Sequence, residues 1–288
     1  MIKKGIILAG GKGTRMSPLT KAVNKHLLPI YDKPLIFYPL SILMLSGIRD
    51  ILIIVNKNEL NQYKKIIPSG DNLGINIRYA LQERPSGLPE AFIIGEKFIG
   101  NSNVSLILGD NFFYGQSLSK TLINCNKISK GAKVLLHRVS NPEKYGVAKI
   151  AGKKVIKISE KPKKFLSDLA ITGLYFFDNK VVNYSKKLKP SKRGELEIVD
   201  LLNIYRKKNQ LNFDYIGRGG AWLDTGSIKD FYKTSSFVSA IENRQGLKIA
   251  CLEEISLSKK WISKNQISKA IEFYGNCEYS NYLKRLIK

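Results

Sequence analysis

The stretch Gly5-Ile6-Ile7-Leu8-Ala9-Gly10-Gly11-Lys12-Gly13-Thr14-Arg15 decides how the chain is read. Five small or branched apolar residues in a row, with no polar residue between them, predict a strand buried on both faces. The glycines that follow carry no Cβ, so backbone N–H groups there can turn inward and approach a phosphate closely. Lys12 and Arg15 add positive charge for a polyphosphate. Two familiar glycine motifs are excluded. Gly5-x4-Gly10 is followed by Gly11 where a Walker A loop needs lysine, and Met16 stands where the dinucleotide fingerprint needs its third glycine. What remains is a phosphate cradle of another kind, or a flexible turn without a ligand.

Working outward, strand-like and helix-like patterns alternate. Strands are predicted at residues 51–55, 78–81 and 104–108, and helices at 34–46, 59–66 and 88–99, the first with its apolar face at Leu35, Tyr38, Ile42 and Leu45. Such alternation, with continuous apolar strands, predicts an α/β fold: a Rossmann-like, mostly parallel mixed sheet flanked by helices. The middle is β-rich at 133–139, 147–150, 155–158 and 170–177, with Gly152 making a hairpin of the second and third. Helix dominates at 227–245 and 266–286. Residues 1–226 are therefore read as the catalytic part and 227–288 as a helical C-terminal appendage of the same domain.

Composition bounds the function. With 43% apolar residues the chain can bury a large core, which excludes wholesale disorder. No apolar run approaches the ~18 residues of a membrane span, and the run at 5–9 is too short for a secretory leader, so a cytoplasmic protein without membrane partners is expected. Cys125, Cys251 and Cys277 lie far apart without metal-ligand spacing, which fits a reducing compartment. His26 and His137 are too few for a zinc site, and His137, ending an apolar run, reads as structural. The net charge of +25 comes from lysines scattered over the whole length, not from a basic arm or stripe. It predicts a solvated lysine surface that attracts anionic substrates, and no specific nucleic-acid partner.

Leu106-Ile107-Leu108-Gly109-Asp110-Asn111 reads as a buried strand ending in an acid. Carboxyl ends of parallel strands face the ligand crevice, which aims Asp110 at the site. A second acid lies in Ala221-Trp222-Leu223-Asp224-Thr225-Gly226. Two carboxylates suit a hard cation such as Mg²⁺, which can offset charge on phosphates. A turn for Asp110 and a helix cap for Asp224 are the plainer readings. Gln82 closes a strand ahead of Arg84-Pro85-Ser86-Gly87-Leu88. Its amide can both donate to and accept from a pyrimidine edge, and Gly87 permits close approach to the ring.

The opening Leu8-Ala9-Gly10-Gly11-x-Gly13-Thr14-Arg15, followed by Pro18 and by Lys25-x-Leu27-Leu28-Pro29, resembles that of the sugar-nucleotide pyrophosphorylases. Tyr145-Gly146-Val147, Glu160-Lys161-Pro162, Ile171-Thr172-Gly173-Leu174-Tyr175 and Arg193-Gly194-Glu195-Leu196-Glu197 extend the likeness. Tyr31-Asp32-Lys33-Pro34, Glu242-Asn243-Arg244-Gln245-Gly246-Leu247-Lys248 and the ending Tyr282-Leu283-Lys284-Arg285-Leu286 carry it over essentially the whole chain, towards the short thymidylyltransferases with a helical C-terminus. Three positions depart: Met16 for leucine, which conserves volume, His26 for glutamine and Val199 for threonine. None removes an expected ligand.

The resemblance implies roles. Leu8, Gly10, Gly11, Gly13 and Thr14 would hold the triphosphate, Arg15 would support the departing pyrophosphate, and Lys25 would face the phosphates. Gln82 and Gly87 would read thymine or uracil. Gly146 and Glu160 would contact sugar hydroxyls beside Tyr175, while Lys161 and Arg193 would hold the sugar phosphate, and Asp110 and Asp224 the Mg²⁺. Arg15, Lys25 and Lys161 are the catalytic candidates. The implied reaction takes dTTP and α-D-glucose 1-phosphate to dTDP-glucose and pyrophosphate, on the way to dTDP-rhamnose and related sugars of surface polysaccharides. Physics agrees, because fixed cations offset the repulsion between an anionic nucleophile and an anionic triphosphate. A phosphate monoester needs no general base, so scarce histidine does not argue against catalysis. A homotetramer with a separate regulatory nucleotide site is also implied. The rival readings are a uridylyltransferase using UTP and a non-catalytic nucleotide-sugar sensor, the latter expected to have lost Arg15, Lys25, Asp110 or Asp224.

Overall fold

The structure is a computed structural model describing residues 1–11 and 13–288; Lys12, expected to lend charge to the glycine loop, lies outside the described residues. In chain order the first half runs β1 (Lys4–Leu8), the short pair β2 (Pro29–Ile30) and β3 (Lys33–Pro34), α1 (Phe37–Leu45), β4 (Asp50–Val55), α2 (Leu60–Ile66), β5 (Asn76–Leu81), α3 (Glu90–Ile94), α4 (Glu96–Ile99) and β6 (Val104–Leu108). Then come β7 (Asn111–Gly115), α5 (Leu118–Asn126), β8 (Ala132–Arg138), β9 (Gly146–Ala151), β10 (Lys154–Glu160) and β11 (Leu169–Phe177). The remainder is α6 (Val181–Lys186), α7 (Ile198–Lys207), β12 (Leu211–Tyr215), β13 (Gly220–Asp224), α8 (Ile228–Gln245), α9 (Leu252–Ser258), α10 (Lys264–Tyr274) and α11 (Glu278–Ile287).

β1 lies at the centre of the sheet, parallel to β4 on one side and to β6 on the other, with Ile6 opposite both Leu52 and Leu106. β5 continues the parallel set beyond β4, and β11 runs antiparallel beside β6. β11 also pairs with β8, which carries β12, and meets β9 of the β9–β10 hairpin at Ala170. The sheet is thus mixed, with a parallel half that positions the site. Alternation along β1 sends Ile6 into a core with Phe92, Leu106 and Phe177, and Ile7 into a second core with Leu40, Leu43, Ile53 and Leu174. Both isoleucines are fully buried, each worth about 1.5–3 kcal/mol.

Three expected helices differ from those observed. α1 starts at Phe37 and is buried from Phe37 to Met44, not along one stripe, because it is packed against both the sheet and α9. The helix expected at 88–99 is interrupted at Gly95, where a Cβ would lie 2.9 Å from Ile6 Cδ1, so glycine lets the segment press on β1. The helix expected at 266–286 is two, separated near Gly275, whose φ of 70° favours glycine. α8 begins at Ser227, whose side chain accepts from Asp230 N–H, and ends at Gly246 in the left-handed region. Its Phe231 and Val238 share a core with Met16, Ile30, Tyr38 and Phe112, while α9, α10 and α11 enclose a separate cluster of Cys251, Ile267 and Leu283.

Candidate active site

At the carboxyl ends of the parallel strands two adjoining hollows form one cleft. Leu8, Gly11, Lys25, His26, Gln82 and Gly87 line the first. Arg15, Gly146, Glu160, Lys161, Tyr175, Arg193 and Asp224 line the second. Leu88, Leu108, Asp110 and Glu195 border both. A more voluminous hollow, about 670 Å³, sits at the opposite end of the strands beside Met1, Asp50 and Asn76. Ligands of open α/β sheets gather at the carboxyl ends, which favours the divided cleft.

On the first side, Gly10, Gly13 and Thr14 shape the loop behind the wall. Gly10 passes so close to Gln82 that a Cβ would overlap its Oε1. Gly13 has φ 61°, and its carbonyl accepts from Thr20 Oγ1 at 2.8 Å. Gly87 has φ 105°, and what presses on it is the backbone of Leu196: a Cβ would overlap the Leu196 carbonyl oxygen. A parallel bridge joins the two residues, and Leu196 N–H donates to Ser86 O at 2.8 Å. The side on which a Cβ would project from Gly87 is therefore taken up by the loop that carries Arg193, while Gly87 itself still lines the first hollow. His26 is 3% exposed, and burial, then the neighbouring Lys25 charge, push its imidazole down to about 3. It is neutral and adds no charge to the cleft; its Nδ1 is 2.7 Å from Asn24 Oδ1.

The two acids meet because β13 pairs antiparallel with β7, setting Asp224 opposite Asn111. Thr225 secures the junction, its N–H and Oγ1 donating to Asp110 O at 3.0 and 2.7 Å. Asp110 Oδ2 accepts from Lys25 Nζ at 2.5 Å and Oδ1 from Asn111 Nδ2 at 3.1 Å. Burial works to raise the Asp110 carboxyl, but the charge and hydrogen bond of Lys25, with its other neighbours, together outweigh it and hold the group well below the usual range. Asp224 moves the other way: burial, then the Asp110 charge, push it up to about 6. The ionised Asp110, already paired with Lys25, resists the ionisation of Asp224, and a further cation beside the two acids would favour both as carboxylates. Among the described residues no group of three or more His, Cys, Asp or Glu side chains could hold a metal. Two carboxylates, with water and substrate oxygens completing the shell, suit Mg²⁺ better than a caged metal. Arg15 lies alongside: a Cβ at Gly226 would be 2.7 Å from Arg15 Nη2 and 3.1 Å from Asp224 Oδ1.

On the second side Glu160 ends β10, and burial raises its carboxyl above the ordinary range. Lys161 follows with φ 41°, a strained conformation for a non-glycine residue. Lys161 Nζ and Arg193 Nη2 stand 3.8 and 3.9 Å from Glu160 Oε1. Arg193 Nη2 also bonds both oxygens of Glu197, at 2.8 and 2.9 Å, so a phosphate here would compete with these carboxylates. Tyr175 is 4% exposed, with its hydroxyl raised by burial.

Every candidate from the motifs except Gly10, Gly13 and Thr14 is on the wall of the cleft. Three further residues of the second hollow were not among the candidates: Tyr145 and Trp222, whose rings stand 5.1 Å apart, and Asn111, whose Oδ1 accepts from Trp222 Nε1 at 2.6 Å and Gly173 N at 3.0 Å. Each lies inside a quoted motif, Tyr145 before Gly146, Trp222 two before Asp224 and Asn111 after Asp110, so motif position was the available signal.

The family described as nucleotidyl transferase matches residues 4–240. A glucose-1-phosphate thymidylyltransferase of Neisseria meningitidis is 49% identical over 286 residues, 99% of each chain. A Bacillus anthracis structure bearing the same enzyme name, in complex with a sucrose, superposes with TM-score 0.75 at 40% identity, covering 81% of this chain and 94% of that one. A UDP-glucose pyrophosphorylase complexed with UDP-glucose superposes with TM-score 0.73 at 27% identity, over 85% of this chain and 100% of the other.

Proposed function

The chain belongs to the nucleotidyl transferase family, alongside the glucose-1-phosphate thymidylyltransferases, and from that premise we propose that it joins dTTP to α-D-glucose 1-phosphate, giving dTDP-glucose and pyrophosphate. The observation that carries this reading is the divided cleft with Asp110 on the boundary of its halves. The glycine-loop half holds dTTP, with Gln82 at the base and Lys25 and Arg15 on the phosphates. The other half holds the sugar phosphate through Lys161 and Arg193, with Glu160, Gly146 and Tyr175 around the hexose. An oxygen of the already ionised sugar phosphate attacks the α-phosphorus in line; the bond to the bridging oxygen breaks, and pyrophosphate leaves against Arg15. No proton needs removal, so the residues bind, orient and offset charge. Asp110 and Asp224 would hold Mg²⁺, which when bound offsets charge on the phosphates. The helical segment 227–288 provides contacts between subunits of a homotetramer and regulatory contacts. No helix of the described residues is long and apolar enough to cross a membrane, and we assign the protein to the cytoplasm.

Pyrophosphate release with Mg²⁺, glucose 1-phosphate and each common triphosphate tests the assignment. dTTP should give the highest kcat/KM; a clear UTP preference makes the protein a uridylyltransferase, a reading favoured by the UDP-glucose pyrophosphorylase likeness. Asp110→Asn should lower kcat by about 10²-fold or more. If release continues unchanged, the chain is not catalytic through this cleft, and the nucleotide-sugar sensor becomes the better reading.

A further inference from the structure

A glutamine amide can meet a pyrimidine in two opposite orientations. With Oε1 at ring N3 it accepts the N3–H of thymine or uracil while its N–H donates to the adjacent carbonyl oxygen. Turned over, it donates to the bare N3 of cytosine and accepts from the exocyclic amine. In this chain the orientation is imposed from behind. Gln82 is 3% exposed, and its Nε2 donates to Oε2 of Glu90 at 2.6 Å. The same Oε2 accepts the backbone N–H of Ser86 at 3.2 Å, which ties the acid to the turn before Gly87. A carboxylate only accepts, so the amide atom facing it must be the nitrogen. Turning Gln82 over would set its Oε1 against Glu90 Oε2 with no hydrogen between them, in a place where little water can intervene. Oε1 is left facing Gly10, where the absent Cβ gives it room.

We propose that Glu90 is a positioning residue for base choice: it locks the Gln82 amide in the orientation that accepts from N3–H, admitting thymine and uracil and refusing cytosine. This rests on the assignment of Gln82 to the base. Glu90 does not separate dTTP from UTP, which share that edge.

The test is Glu90→Gln in the full chain. The new side chain is isosteric and can offer Gln82 either an oxygen or a nitrogen, so both orientations become possible. With Mg²⁺ and glucose 1-phosphate, kcat/KM is measured for dTTP, UTP and dCTP. The dTTP-to-dCTP ratio should fall by roughly tenfold or more, while the dTTP-to-UTP ratio stays as in the unsubstituted protein. Each ratio is internal to one preparation, so a partly unfolded sample does not imitate the effect. If turnover is too slow to follow, calorimetric titration with dTTP and dCTP reads the same discrimination. An unchanged dTTP-to-dCTP ratio overturns the proposal. Failure of the unsubstituted protein to use dTTP or UTP would instead sink the assigned function, so the two failures are distinguishable.

Discussion

In the protein without a bound cation, Asp224 has a carboxyl pushed up to about 6 by burial and by the Asp110 charge, against about 3.8 unfolded. The folded chain therefore holds that proton more tightly than the unfolded chain does. Stability contributed by the protonated form is present at low pH and is lost as pH rises from about 4 through 6, after which the penalty is constant. Asp224→Asn removes the penalty, so in the presence of chelator it should raise the melting temperature by about 2–5 °C at pH 8 and much less at pH 4. The same substitution should abolish stabilisation by Mg²⁺, which in the unsubstituted protein should itself fade below about pH 6. A melting temperature lowered at pH 8 would show that Asp224 is held by its neighbours instead of strained by Asp110. His26 illustrates the opposite outcome of burial: pushed down to about 3, it stays uncharged beside Lys25, which allows it to stand where glutamine is usual.

At the scale of elements, the clasp between Gly87 and Leu196 joins the turn after β5 to the loop that carries Arg193, and so links the two halves of the cleft. Gly87→Ala places a Cβ on the Leu196 backbone and strains a φ of 105°. It should lower kcat/KM for both substrates by about 30-fold or more, the equivalent of about 2 kcal/mol. Circular dichroism should show the helices intact; loss of affinity for dTTP alone would mean that the clasp does not reach the sugar side. The strands β1, β4 and β6 were legible because each is dominated by apolar residues. β7 and β13 were not: Asn111–Gly115 and Gly220–Asp224 mix glycine, aromatic and polar residues, and they become strands only by pairing with each other. Asp110 could be placed from its strand, whereas the position of Asp224 opposite Asn111 depends on that pairing.

Across the whole molecule, two motifs far apart in the chain turn out to be one structure. Lys33, 2% exposed, donates to Glu242 Oε1 at 3.0 Å and to Asp32, and Lys248 reaches Asp32 and Glu242. Burial works to raise the Asp32 carboxyl, but Lys33 and Lys248 outweigh it and hold it below the ordinary range. Glu242 also accepts Ile249 N–H at 2.8 Å, so the network fastens the β2–β3 pair to the end of α8. Lys33→Met leaves the buried Glu242 carboxylate, and Asp32 beside it, with Lys248 as their remaining cation and should destabilise the protein by about 3 kcal/mol in urea unfolding. Pairing it with Glu242→Met should cost less than the two single changes added together. Strict additivity would show that the ion pair contributes nothing of its own.

The sequence alone determined the parallel half of the sheet, the glycine loop and the kinds of residue in the cleft. Those signals are local: apolar runs, missing Cβ atoms and an acid, Asp110, placed at a strand end. Tertiary structure decided what each group faces. It buried α1 all round by laying α9 over it, set the Asp224 carboxyl beside that of Asp110, gave Gly87 to the Leu196 backbone and put Glu90 behind Gln82. These outcomes arise from pairings between distant segments. Their energies depend on burial and close contact, which no local pattern of residues records.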